Sequence, residues 1–308
     1  MADLFSPLSI GGRELPNRIV MAPVASGAAG ADGFVGDAAV DYYWRRARGG
    51  VGLLLSEALR VTPPADGAPA PHIGIYADAF VPGLRRLVAA ARVEGARVLL
   101  TLDALDPPAP KARLGALREA FILAAWRAHC AGADGVMLTA ADGGALAWLL
   151  SPLRNTRADG YGQGGDGRRR LALEIVEGVG QWLGRRLLVG FRLPADEFTP
   201  GGLTLQDARV LAKRLTAAGV GLLDVTAHAA PPGVARFPGW AVPLASSVRR
   251  VVDVPVVGSG ELGDPHLADS VVRDGSVDLV MLDGALRRDP DWPLHARDLL
   301  NRTGGRAS

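Results

Sequence analysis

The chain has 308 residues, 48% hydrophobic and 21% charged, and a single α/β barrel of roughly 250 residues with short additions uses nearly all of that length. Residues 1–308 are therefore read as one domain, and no second domain is needed. The 34 basic and 32 acidic residues leave a formal charge of +2, which points to neither a nucleic-acid nor a membrane partner.

At the start, MADLFSPLSIGG lacks a basic region followed by an apolar stretch, and no later window reaches the roughly 18 uncharged apolar residues of a membrane span. A cytoplasmic protein is expected. LFSPLSIGGRELPNR reads as two short strands around Gly11-Gly12, a hairpin suited to capping a barrel bottom. Apolar runs then follow at RIVMAPV (18–24), VGLLLSEA (51–58), ARVLLTLD (96–103), DGVMLTA (134–140), RLLVGFRL (186–193), LLDVTAH (222–228), VPVVGSG (254–260) and DLVMLDG (278–284). Stretches of helical period separate them, among them PGLRRLVAAARVEG and DPHLADSVVRDG; the second opens on an Asp-Pro cap signal and closes at Gly275. Strands this uniformly apolar are buried on both faces, so the alternation predicts a parallel (β/α)8 TIM barrel with an N-terminal hairpin cap. A doubly wound sheet would want a tight glycine-rich turn after its first strand, and APVASGAAGADG is too loose. The lone cysteine, Cys130, excludes an internal disulfide and suits a small packing position at a helix end.

The ordered segments LFSPLSIGGRELPNRIVMAP, YYWRRARGGVGLLLSEA, LSPLRNTRADGYG followed by Arg168, VGFRLPADEF, FPGWAVPLA and DPDWP resemble the old yellow enzyme family of NADH:flavin oxidoreductases. The resemblance spans almost the whole chain. It implies an eight-stranded α/β barrel holding FMN at its top, with hydride taken from a nicotinamide cofactor and passed to an activated alkene. It also implies cofactor contacts at Ala25, Ala58, Thr101, Arg192, Gly260 and Gly284, and relatives that pair into homo-oligomers.

Several family positions are substituted. Where the family places a His-x-x-His or His-x-x-Asn pair that polarises the substrate, this chain has Thr139 and Asp142, a hydroxyl and a carboxylate that only accepts at neutral pH. The proton-donating tyrosine two residues on is Gly144. The residue that tunes the flavin is Ala25, and the ring-contacting glutamine is Thr101. The Gly-Arg pair that binds the flavin phosphate after the eighth strand reads Asp283-Gly284, after Ser259-Gly260-Glu261 on the seventh. A carboxylate about 4 Å from a phosphate costs on the order of 1 to 4 kcal/mol, and the lost charge-assisted bond about 1.5 to 3 kcal/mol more.

Asp142, His228, Thr139 and Arg192 are the candidate catalytic residues. An imidazole near a carboxylate makes a general base, while the plainer readings are a solvated loop histidine at His228 and a cap for LAWLL at Asp142. His72, His266 and His295 read as loop or helix-surface residues, Glu57 as scaffold, and no histidine has metal-ligand spacing. The substitutions lead to the expectation of a barrel without cofactor, carrying out isomerisation, cyclisation or elimination on a small hydrophobic metabolite. The alternatives are an FMN-dependent NAD(P)H oxidoreductase with an altered site, and a non-catalytic protein that binds a metabolite or a partner.

Overall fold

Two glycines in left-handed backbone, Gly11 and Gly12 at φ 56° and 77°, reverse the chain between β1 (Leu8–Ile10) and β2 (Arg13–Leu15), which pair antiparallel. The computed structural model describes residues 2–64, 72–105, 114–141, 143–227 and 236–304. The remaining strands are β3 (Ile19–Met21), β4 (Leu53–Leu55), β5 (Leu59–Arg60), β6 (Arg97–Asp103), β7 (Gly135–Thr139), β8 (Leu188–Pro194), β9 (Leu222–Thr226), β10 (Val256–Gly258) and β11 (Leu279–Leu282). Every pairing among them is parallel. They run in order from β4 through β3, β11, β10, β9, β8 and β7 to β6, and the pairing of β4 with β6 closes the ring. This is the eight-stranded parallel barrel expected from the apolar runs, with helices around it.

β5 is the upper continuation of β4, paired on β6 with Leu59 opposite Leu102. The interruption between them has a visible cause. The Glu57 N–H donates to the Tyr43 hydroxyl at 2.7 Å, and the Thr101 N–H donates to Ser56 Oγ at 2.8 Å, so side chains take over where the ladder breaks. The break turns Glu57 and Ala58 toward the barrel mouth.

Two apolar clusters hold the barrel. Inside it, Leu53, Leu99, Met137, Leu222 and Leu279 meet, and Ile10 and Leu15 of the hairpin close the lower end, as the N-terminal pattern predicted. Outside, alternate strand residues such as Val136, Phe191 and Leu223 pack under the helices. The helix Leu205–Ala217 starts on a capping box in which Thr204 and Asp207 satisfy each other's N–H groups. In the helix Pro265–Arg273 the Asp264 carboxylate accepts from Leu267, and Gly275 at φ 73° ends the segment. Cys130 is the last residue of the helix Leu114–Cys130 and is half-buried. No described helix is long and apolar enough to cross a membrane.

Candidate active site

In a parallel barrel all strands end at one mouth, and there the chain encloses a cavity of about 1000 Å³. Of the sequence-predicted site residues, Ala25, Ala58, Thr101, Thr139, Arg192, Gly260 and Gly284 all line it. Asp142 and His228 lie outside the described residues.

Arg192 leans across the barrel interior from β8. Its Nη1 donates to Asp224 Oδ2 at 2.7 Å and lies 3.2 Å from Met281 Sδ, while Nη2 reaches Thr226 Oγ1 at 3.4 Å. Asp224 is 0% exposed and the Arg192 side chain 12%, so the pair is held rigidly with the guanidinium at the cavity wall. Thr139 is paired in register with Arg192. Its Oγ1 accepts from the Ala141 N–H at 3.2 Å, which leaves the hydroxyl proton for the cavity. Thr101 is buried, and its Oγ1 has no hydrogen-bond partner, a hydroxyl kept unsatisfied in the wall of a cavity.

Glu57, read as scaffold, also lines the cavity. Its Oε1 accepts from Ser26 Oγ at 2.6 Å, and its Oε2 is buried without a partner at the cavity edge. Burial pushes the carboxyl above the usual range, against the opposing pull of the Ser26 bond. The folded state therefore holds a proton over a pH interval in which the unfolded chain has released it, and stability is lost as pH rises through that interval. Glu57→Gln has no such proton to lose. It is expected to gain stability relative to wild type as pH rises above the ordinary glutamate range, measured as a shift in urea midpoint. Equal pH profiles for the two proteins would contradict this.

The missing family tyrosine has a structural counterpart. Gly144 precedes the helix Ala145–Leu150, and a Cβ built on it would lie 2.1 and 2.3 Å from the two carboxylate oxygens of Asp103. Asp103, 1% exposed at the end of β6, occupies the space a side chain at 144 would need, and it too lines the cavity. The carboxylate and the glycine form one substitution.

Sequence reading missed three basic residues of the wall. His72, read as a loop-surface residue, lines the cavity, and burial together with the Arg60 charge pulls its imidazole below the ordinary value. Arg236 and Arg288 line it as well. All three come from loops or a helix end, where periodicity says nothing about direction. Glu261, beside Gly260, has φ 60°, a left-handed conformation uncommon for glutamate and of the kind that collects at binding loops. Among the described residues no cluster of three or more His, Cys, Asp or Glu could hold a metal ion.

The profile of the NADH:flavin oxidoreductase / NADH oxidase family matches residues 3–118 and 111–302. An NADH oxidase of Thermoanaerobacter brockii is 33% identical over 330 residues, covering 96% of this chain and 51% of that protein. The chain thus spans about half the length of that relative. An NADPH dehydrogenase of Geobacillus sp. (strain WCH70) is 33% identical over 327 residues, covering 97% of this chain and 95% of that one. Among solved structures, morphinone reductase in complex with tetrahydroNAD superposes with a TM-score of 0.81 at 26% identity, covering 96% of this chain and 91% of that one.

These relatives overturn the expectation of a cofactor-free barrel with isomerase, cyclase or lyase chemistry, because they are named as oxidases, dehydrogenases and reductases. The error was physical as well. It set the missing arginine at position 284 against Arg192 alone, whereas the folded wall also carries Arg236 and Arg288. Matched along nearly its whole length by the profile and by an NADPH dehydrogenase of similar size, the chain belongs to the NADH:flavin oxidoreductase / NADH oxidase family, the old yellow enzyme family that its motifs resemble.

Proposed function

We propose that the chain is an FMN-dependent NAD(P)H oxidoreductase acting on a small molecule, with substrate-facing residues unlike those of its alkene-reducing relatives. The observation that carries this reading is the mouth cavity of about 1000 Å³, which has a fixed guanidinium, Arg192, and a buried unpartnered hydroxyl, Thr101 Oγ1, in its wall. A flavin ring asks for such a pair, a cation beside its electron-rich edge and a hydrogen-bonding group facing it. Ala25, Ala58, Thr101 and Arg192 would hold the ring, and the loops at Gly260 and Gly284 the phosphate end. When bound, FMN supplies hydride chemistry between a nicotinamide and an acceptor.

The chain's own residues then determine which acceptors succeed. Arg192 offers a preorganised positive charge that costs no reorganisation during reaction, because Asp224 already orients it. Glu57 keeps its proton at a pH where an exposed glutamate has lost it. Thr139 offers one neutral donor where the family pattern offers a pair of side-chain donors, and Gly144 offers none. Polarisation of a substrate carbonyl is correspondingly weaker. Strongly electron-poor acceptors, which need little such help, are therefore the favoured class over simple enones.

The test is the purified protein itself. It should absorb in the flavin bands, release FMN on denaturation, and oxidise NADH or NADPH faster with an electron-poor quinone than with cyclohexenone. A colourless protein showing no saturable FMN binding by fluorescence quenching would sink the reading.

A further inference from the structure

We propose that Arg288 supplies the phosphate-binding cation that position 284 lacks; this rests on the flavin reading above. Gly284 and Arg288 are the first and last residues of one short helix, four positions apart and so on the same face. Long side chains on a helix lean toward its N-terminus, which aims Arg288 back at Gly284. The structure records that approach directly, since a Cβ built on Gly284 would lie 3.2 Å from Arg288 Nη1. The guanidinium therefore ends where an arginine side chain at 284 would begin. It lines the same cavity as Gly260 and Gly284.

Three features suit this group to a phosphate monoester. Arg288 is exposed and makes no ion pair or side-chain hydrogen bond among the described residues, so no existing bond has to be broken. The nearest acid toward the chain end, Asp289, is engaged with His295 Nδ1 at 2.8 Å. Asp283, the carboxylate that argued against an anion here, precedes the helix and is exposed. Its repulsion is screened by water, while a planar guanidinium gives a phosphate two parallel bonds. Gly284 is then required rather than merely tolerated, because a side chain there would displace the head of Arg288.

Flavin-free protein titrated with FMN and with riboflavin separates the possibilities. Riboflavin has the ring and lacks the phosphate. Arg288→Ala is expected to raise the FMN dissociation constant at least tenfold, about 1.4 kcal/mol, and to leave that for riboflavin unchanged. Arg288→Lys should fall between, since it keeps the charge and loses the fork. Gly284→Arg combined with Arg288→Ala should recover FMN affinity, which also shows that the single variant was folded. An Arg288→Ala protein binding FMN within twofold of wild type overturns the assignment. Equal weakening toward FMN and riboflavin also overturns it, because Arg288 would then act on the ring or the fold. A wild-type protein that binds neither flavin fails at the earlier step and refutes the oxidoreductase reading itself.

Discussion

Arg192→Met is expected to lower the unfolding free energy by about 3 to 5 kcal/mol, the cost of removing one member of a buried ion pair. Asp224 is 0% exposed and accepts from Arg192 Nη1 at 2.7 Å. Methionine fills comparable volume, so little of the effect comes from a cavity. A total stability of about 5 to 15 kcal/mol means that the loss is a large fraction of what holds the domain together.

The reverse substitution is predicted to be milder. Asp224→Asn keeps an acceptor opposite Nη1, and the Arg192 side chain, 12% exposed at the cavity wall, can be solvated by cavity water. About 1 to 3 kcal/mol is expected. Urea midpoints of the two variants check both statements. Equal destabilisation by the two would show that the ion pair is not the source of the effect.

The barrel could be read from the chain because both-face burial leaves a signature that needs no knowledge of partners. Runs such as DGVMLTA and RLLVGFRL carry consecutive apolar residues rather than an alternation, and each proved to contain a barrel strand, β7 and β8. The same logic points to one mouth as the place of the candidate site, since strand ends in a parallel barrel share it. Ala25, Thr139 and Gly260 are such strand ends and line the cavity there, whereas Thr101 came from the family resemblance. What could not be read depends on direction and on contacts distant in sequence. Whether Arg288 leans toward the cavity is decided by how a five-residue helix sits on the mouth. The interruption between β4 and β5 that delivers Glu57 depends on Tyr43, fourteen positions away. The weight given to a missing arginine at position 284 shows the same limit, because alignment identifies a lost group without showing which other cations, such as Arg236 and Arg288, the fold brings to the same wall.

Gly144 carries the second large effect. Alone, Gly144→Ala is expected to destabilise by about 1 to 3 kcal/mol, the usual cost of forcing an atom into filled space. The new Cβ would lie 2.1 Å from Asp103 Oδ1, and Asp103 is a short, buried side chain with little room to yield. Gly144 itself has φ −64°, a value any residue adopts, so backbone strain contributes nothing and the whole effect is steric. Asp103→Ala removes the obstructing carboxylate, and in that background Gly144→Ala should cost almost nothing. The coupling in the double-mutant cycle should therefore be at least 0.5 kcal/mol and as much as about 3 kcal/mol. The consequence for function follows from the same geometry. A tyrosine cannot be restored at 144 while Asp103 is present, so Gly144→Tyr alone should yield a poorly folded protein, whereas Asp103→Ala with Gly144→Tyr should fold and place a phenol at the cavity. Additive single-mutant effects in the cycle would show that Asp103 and residue 144 do not compete for one space, and the carboxylate would then have to be explained without the glycine.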